Sequence, residues 1–227
     1  MSGHGQFCPV AVASEVFAHR WTPLIVRELA HGPAAFNDLH RGMPRISRTL
    51  LAQRLRTLTG AGVVAVDRDD THRHCYRLTD AGAELIPVVQ ALGTWGQRWT
   101  ARFDQANLDP DLLMWNVRRR LDFARWPATR TVARFDFAPL PPRWRKRRSY
   151  WLVVEPPDVT LCLQDPGDEL DLQVDAGIEA FARVWLGDLA MAQALRDGAI
   201  RVAGRASLVR AFPHAFLLSR FADVPRT

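Results

Sequence analysis

Lysine is all but missing from this 227-residue chain: Lys146 is the single one, and arginine carries nearly all of the positive charge. Such a bias follows genome base composition as readily as phosphate chemistry. The formal net charge of +6 and the pI near 10.2 therefore argue for solubility and a polyanionic partner without fixing a function. Cysteine is scarce too. Cys8, Cys75 and Cys162 are odd in number and widely spaced, which excludes a disulfide framework and fits a reducing compartment. No run approaches the roughly 20 apolar residues of a membrane span, and the opening MSGHGQF is neither basic nor long and apolar, so a cytoplasmic protein without a signal peptide is expected. Catalytic motifs are lacking as well: there is no Gly-x-Ser-x-Gly elbow, no P-loop and no Gly-x-Gly-x-x-Gly fingerprint, so neither an enzyme nor a cofactor is expected. His72 and His74 would share one face of a hairpin while Cys75 points the other way, and two ligands make a poor metal site.

What the chain does have is length and apolar content, 48% hydrophobic, enough for one large or two ordinary domains. The most informative stretch runs from Ile46 to Gly82. Leu51, Leu55 and Leu58 recur at helical spacing and form one apolar stripe, with Thr49, Gln53 and Arg56 on the opposite face. Ser47 suits the N-cap, and Gly60 and Gly62 suit a left-handed ending. Val63, Val64 and Val66 read as a strand, Arg68 to Arg73 as a hairpin tip, and Cys75, Tyr76 and Leu78 as the return strand. A basic helix followed by a β-hairpin is the order a winged helix needs to enter a DNA groove. The plain alternative is a generic helix and hairpin with a solvated polar face.

Upstream, Val12, Val16 and Phe17, then Leu24, Ile25 and Leu29, have helical spacing, with Pro23 in a first turn and Thr22 as its cap. Gly32-Pro33 stops this helix, and a short one from Asn37 to Arg41 follows, capped by Asn37. Between Phe36 and Arg56 lie five arginines and one acid, Asp38. Arg48 and Thr49 in the first turn and Gln53 one turn on are the expected base readers, with Arg45 and Arg56 on phosphate. Arg68, His72 and Arg73 at the wing reach the minor groove or the backbone. Arg54 sits nearer the apolar face and reads equally as a structural arginine.

From Asp80 to Phe103 the periodicity predicts one long helix, bent at Pro87, with Leu85, Val88, Leu92, Trp95 and Trp99 spaced as a coiled-coil seam. Packing within one subunit is the alternative. A dimer is expected because the trihelical core already has its partners, and because paired recognition helices suit a palindromic operator.

After residue 106 the composition shifts. A short amphipathic segment from Asp111 to Arg125 precedes strands around Thr131–Phe137, Tyr150–Glu155, Val159–Leu163 and Leu170–Val174, then helices over Gly177–Leu186 and Asp188–Asp197. The expected fold is therefore α+β: a winged helix-turn-helix domain with a long dimerisation helix over residues 1–106, and an antiparallel sheet covered on one face by helices over 107–227. From Arg118 to Arg148 there are eleven basic residues and two acids; from Glu155 to Asp175 there are seven acids and no base. Complementary strand pairing is preferred over a second DNA contact. The loop from Trp144 to Ser149 is the exception, a cluster suited to flanking phosphate or an acidic ligand.

Two resemblances extend this reading. Cys8-Pro9, Trp21, Gly32, Phe36-Asn37-Asp38-Leu39, Ile46-Ser47, Arg54-Leu55, Gly62-Val63, Tyr76-Arg77-Leu78-Thr79, Gly82, Leu85 and Trp95 together resemble the HxlR-type winged-helix transcription regulators, relatives of the MarR group. That resemblance implies a dimeric DNA-binding regulator, and it implies a thiol-switch role for Cys8, for which a buried small apolar residue is the alternative. Asp165 to Val224 resembles sterol-carrier-protein-like domains, which form an apolar tunnel between sheet and helices. It implies a ligand lining drawn from Trp144, Trp151, Leu161, Leu163, Leu172, Phe181, Trp185 and Leu189, with Leu208 and Phe212, each of which is otherwise a plain core residue. The expected activity is transcription regulation controlled by an apolar effector or the thiol. The alternative is a lipid-binding or carrier module whose winged helix mediates protein contacts.

Overall fold

The computed structural model describes residues 5–68, 74–100, 107–140 and 149–227, and the chain divides into two compact units, Met1–Gly96 and Gln97–Thr227. In the first, α1 (Pro9–Phe17), α2 (Thr22–Leu29), β1 (Ala34–Ala35), α3 (Phe36–Arg41) and α4 (Arg48–Gly60) precede β2 (Val64–Arg68) and β3 (His74–Leu78). The strands form an antiparallel sheet in the order β1-β3-β2, with Ala34 opposite Tyr76 and Val66 opposite Tyr76 on its other side. Ile25, Leu29, Leu39, Met43, Ile46, Leu51, Leu55, Leu58, Val63 and Val64 make one buried cluster. α2, α3 and α4 each give it apolar side chains from one face, while α1 buries none of its residues and only rests the partly buried Val16 against it.

Two expected caps are different in the structure. The N-cap of α2 is Trp21, and Thr22 is buried inside the first turn; the N-cap of α3 is Ala35, so Asn37 is free to bond elsewhere. The end of α4 follows a Schellman pattern. Gly62, at φ +73°, donates its N–H to the Thr59 carbonyl at 3.1 Å, Val63 donates to the Leu58 carbonyl at 2.9 Å, and both Leu58 and Val63 are core residues.

The helix expected from Asp80 to Phe103 is broken. α5 (Asp80–Ala83) and α6 (Leu85–Trp99) are separated at Glu84, because Pro87 has no N–H for the Ala83 carbonyl and is tolerated only in a first turn. Residues 101–103 of that expectation lie outside the described residues. Thr79 ties α5 to the end of α4. Its Oγ1 donates to the Gly62 carbonyl at 2.6 Å and accepts from the Gly82 N–H at 3.1 Å, while its own N–H donates to the Val63 carbonyl at 3.1 Å. Gly82 packs so closely here that a Cβ would stand 2.1 Å from the Val63 carbonyl oxygen.

The second unit holds α7 (Pro110–Val117), β4 (Thr131–Phe137), β5 (Ser149–Glu155), β6 (Asp158–Cys162), β7 (Leu172–Ala176), α8 (Ile178–Trp185), α9 (Met191–Arg196), β8 (Ile200–Gly204) and α10 (Ala206–Ala215). Its sheet runs β6-β5-β4-β7-β8. The sheet is mixed, not antiparallel as expected: β7 returns past β6 and β5 to pair parallel with β4, and the remaining three pairs are antiparallel. The expected covering on one face is seen. Ala133, Phe135, Phe137, Tyr150, Leu152, Val154, Leu172 and Val174 share one cluster with Met114, Phe181, Ala194, Leu208 and Phe212 from the helices. The segregated charges meet as expected, since Arg130 bonds Glu155 at 2.8 Å and Asp168 at 2.6 Å, although such exposed pairs stabilise little. Among the described residues, no helix is long and apolar enough to cross a membrane.

Gly82→Ala should destabilise the first unit by about 1–3 kcal/mol through overpacking against Val63, whereas Gly60→Ala, with nothing within 4 Å of its Cβ, should not. Urea titration of the full chain, read by amide exchange in α4, compares the two.

Candidate nucleic-acid interface

The surface of interest is built on α4. Ser47 caps it, its Oγ accepting from the Leu50 N–H at 3.2 Å. Burial of Leu51, Leu55 and Leu58 fixes the rotation of the helix, and Arg48, Thr49, Gln53 and Arg56 are exposed on the other side, with Arg45 and Ser47 exposed just ahead of them. No acid lies in the first turn of α4. Arg54 is half-buried, and its Nε is shielded from solvent with no hydrogen-bond acceptor among the described residues. His40 in α3 contacts the Ile46 carbonyl through Nε2 at 3.0 Å, tying the turn between α3 and α4.

Arg48 is held from α3 by Asn37 and Phe36, for which spacing and residue type suggest no such role. Its Nη2 donates to Asn37 Oδ1 at 2.7 Å, and its guanidinium lies 5.2 Å from the centre of the Phe36 ring. The useful signal was the freedom of Asn37, which its place inside the first turn, after the cap, makes available. At the wing, Arg68 is exposed at the end of β2 opposite His74, and Arg77 pairs with Asp67 on one face of the hairpin. His72 and Arg73 lie outside the described residues.

Of the seam residues, Val88, Leu92, Trp95 and Trp99 form an exposed apolar stripe along α6, with the two tryptophans 56% and 59% exposed, while Leu85 turns in and packs against the trihelical core. Four large apolar side chains in one exposed row mark a contact surface. Cys8 is the N-cap residue of α1 and is exposed, so the alternative of a buried small apolar residue does not hold. The Ala11 N–H, and then that of Val10, lower its thiol pKa below the ordinary value by stabilising the thiolate. Cys162 is shifted the other way, by burial first and then by the Asp168 charge.

The residues expected to line a ligand cavity are not brought together on one surface. Leu172, Phe181, Leu208 and Phe212 are buried in the core, where Phe181 lies 5.4 Å from Phe137 and 5.9 Å from Phe135 between ring centres. Leu161, Trp185 and Leu189 border that cluster, half-buried. Leu163 is past the end of β6 and exposed. Trp151 alternates with Tyr150 and Leu152 and so lies on the other sheet face, under the Arg134 guanidinium at 5.5 Å. Trp144 lies outside the described residues.

A trihelical core with α3 and α4 as a helix-turn-helix and a β2–β3 hairpin as its wing defines the class: a winged helix-turn-helix protein of the transcription-regulator type. Residues 16–104 match the HxlR-like helix-turn-helix family model. Over 97 residues the chain is 32% identical to YvaP of Bacillus subtilis, an uncharacterized HTH-type transcriptional regulator, covering 41% of this chain and 90% of that relative. It is 39% identical over 97 residues to the uncharacterized HTH-type transcriptional regulator Rv3095 of Mycobacterium tuberculosis, covering 41% of this chain and 60%, less than two thirds, of that relative. Among solved structures, the reduced form of the regulator YodB from B. subtilis aligns at 28% identity over 44% of this chain and all of its own, with a TM-score of 0.38. The chain belongs to the HxlR-like helix-turn-helix family.

A lowered thiol pKa and full exposure predict that iodoacetamide at pH 7 alkylates Cys8 before Cys162, as read by peptide mass mapping. Equal rates would show that the N–H groups of α1 do not activate the thiol.

Proposed function

We propose that this chain is a homodimeric, sequence-specific DNA-binding transcription regulator acting in the cytoplasm. In this reading α4 lies in the major groove, with the β2–β3 wing on the adjoining backbone or minor groove. The observation that carries it is the solvent face of α4: Arg48, Thr49, Gln53 and Arg56 opposite a stripe of buried leucines, with no acid in the first turn to offset the charge. Arg48, Thr49 and Gln53 read bases, and Arg45, Arg56 and Arg68 hold phosphate. The exposed stripe Val88, Leu92, Trp95 and Trp99 supports pairing of two copies through α6. Such a pair would place two recognition helices about 34 Å apart, matched to a palindromic operator.

Two further assignments belong to the same reading. Exposure and the activated thiol support Cys8 as a site where oxidants or electrophiles change DNA affinity. The partial exposure that Leu161, Trp185 and Leu189 each keep against the core cluster supports access of an apolar effector to the second unit. Any such ligand must bind one arrangement of the DNA-binding elements better than the other.

Binding to a selected palindromic duplex is expected to weaken by about a thousandfold between 50 and 200 mM salt, as multiple phosphate contacts require. Arg48→Ala should weaken binding at fixed salt without altering the melting of α4. Trp95→Asp should shift the sedimenting species from dimer to monomer. Salt-independent binding, or a dimer unaffected by Trp95→Asp, would refute the corresponding part.

A further inference from the structure

Arg48 occupies the first position of α4, where the helix dipole presents positive potential and a cation is disfavoured. Among the described residues no acid relieves it. The first turn contains no acid, and among the described residues no carboxylate pairs with Arg48; Asp38 of α3 is engaged with Arg41 at 3.1 Å. The groups that hold Arg48 are neutral: the Asn37 Oδ1 accepting at 2.7 Å and the face of the Phe36 ring at 5.2 Å. A neutral acceptor and a π face fix the direction of a guanidinium while leaving its charge whole.

Phosphate tolerates a cation from many directions, so a contact to phosphate gains little from such restraint. The N7 and O6 acceptors of guanine lie in one plane and need two parallel N–H donors aimed together. Rotamer freedom removed before the DNA arrives is not lost on binding, and discrimination between bases rises accordingly.

We propose that Asn37 and Phe36 are positioning residues that hold Arg48 as a preformed reader of a guanine in the major groove. This rests on the DNA-binding reading above and adds to it a base identity and a role for α3.

The test uses the full chain. Wild type, Asn37→Ala, Asn37→Asp, Arg48→Ala and Arg48→Lys each select from a random-sequence duplex pool at fixed salt. Affinities for the recovered duplexes are then titrated from 50 to 200 mM salt. Wild type should recover half-sites containing one strongly preferred guanine, and Arg48→Ala should lose that preference. Asn37→Ala should keep the other positions and the salt slope but lose about tenfold of the discrimination at the guanine. Arg48→Lys keeps the charge without the planar pair of donors, and should do the same. Asn37→Asp, which pairs with the guanidinium and neutralises it, should make the salt slope shallower by about 0.9 per protomer. An exposed Asn37 predicts unchanged melting for its variants. If Asn37→Ala selects the same guanine as strongly as wild type, or Arg48→Ala alters only the salt slope, the positioning role is overturned and DNA binding stands. If wild type selects no sequence at all, the DNA reading falls and the proposal with it.

Discussion

The packing of Leu51, Leu55 and Leu58 against the trihelical core is the constraint on which the candidate interface depends. Each is essentially inaccessible to solvent, and burial of a leucine side chain is worth about 1.5–3 kcal/mol. Together they exceed any contact made on the polar face. A helix turns about 100° per residue, so a slip of one position would bury arginine and expose leucine. The leucines therefore decide where Arg48, Thr49, Gln53 and Arg56 point. The neutral contacts from Asn37 and Phe36 act on a finer scale, directing one side chain on a helix whose rotation is already determined.

Local periodicity made much of this legible. The stripe on α4, the Ser47 cap, the left-handed Gly62 and the strands of the wing follow from short-range spacing, and the structure has them where spacing puts them. In the second unit the alternation from Thr131 to Phe137 likewise separates a core face from an outer one. What was not legible depended on partners distant in the chain. β1 is only Ala34 and Ala35, and no periodicity exists in two residues; it is a strand because β3 offers it an edge. The parallel pairing of β7 with β4 joins residues about forty positions apart, and hydropathy carries no information on strand direction. The resemblance places Trp151 with Leu161 in a ligand lining, although alternation along β5 sends it to the face away from the core. Asn37 suits a cap by its type, but the chain enters α3 two residues earlier, with Ala35 at the N-cap.

The second unit shows a division of labour between its two sheet faces. On one, phenylalanines from β4, α8 and α10 meet edge-on or tilted, with Phe212 and Phe216 only 4.6 Å apart between ring centres. On the other, Asp136 accepts from Ser149, Gln173 and Arg134, so that three strands are joined by side chains as well as backbone. An interior filled with aromatic rings gives a rigid layer. Any ligand that enters must therefore do so at its half-buried border, or displace rings that now satisfy one another.

The junction at Thr79 has a mechanical meaning. A single hydroxyl both closes the end of α4, through the Gly62 carbonyl, and starts α5, through the Gly82 N–H, while Gly82 lies against the Val63 carbonyl with no room for a methyl group. Such a joint transmits torque where a flexible linker would absorb it. A tilt imposed on α5 must drag the C-terminal end of α4 with it, so that α4 is steered from its far end, like a rudder from its post.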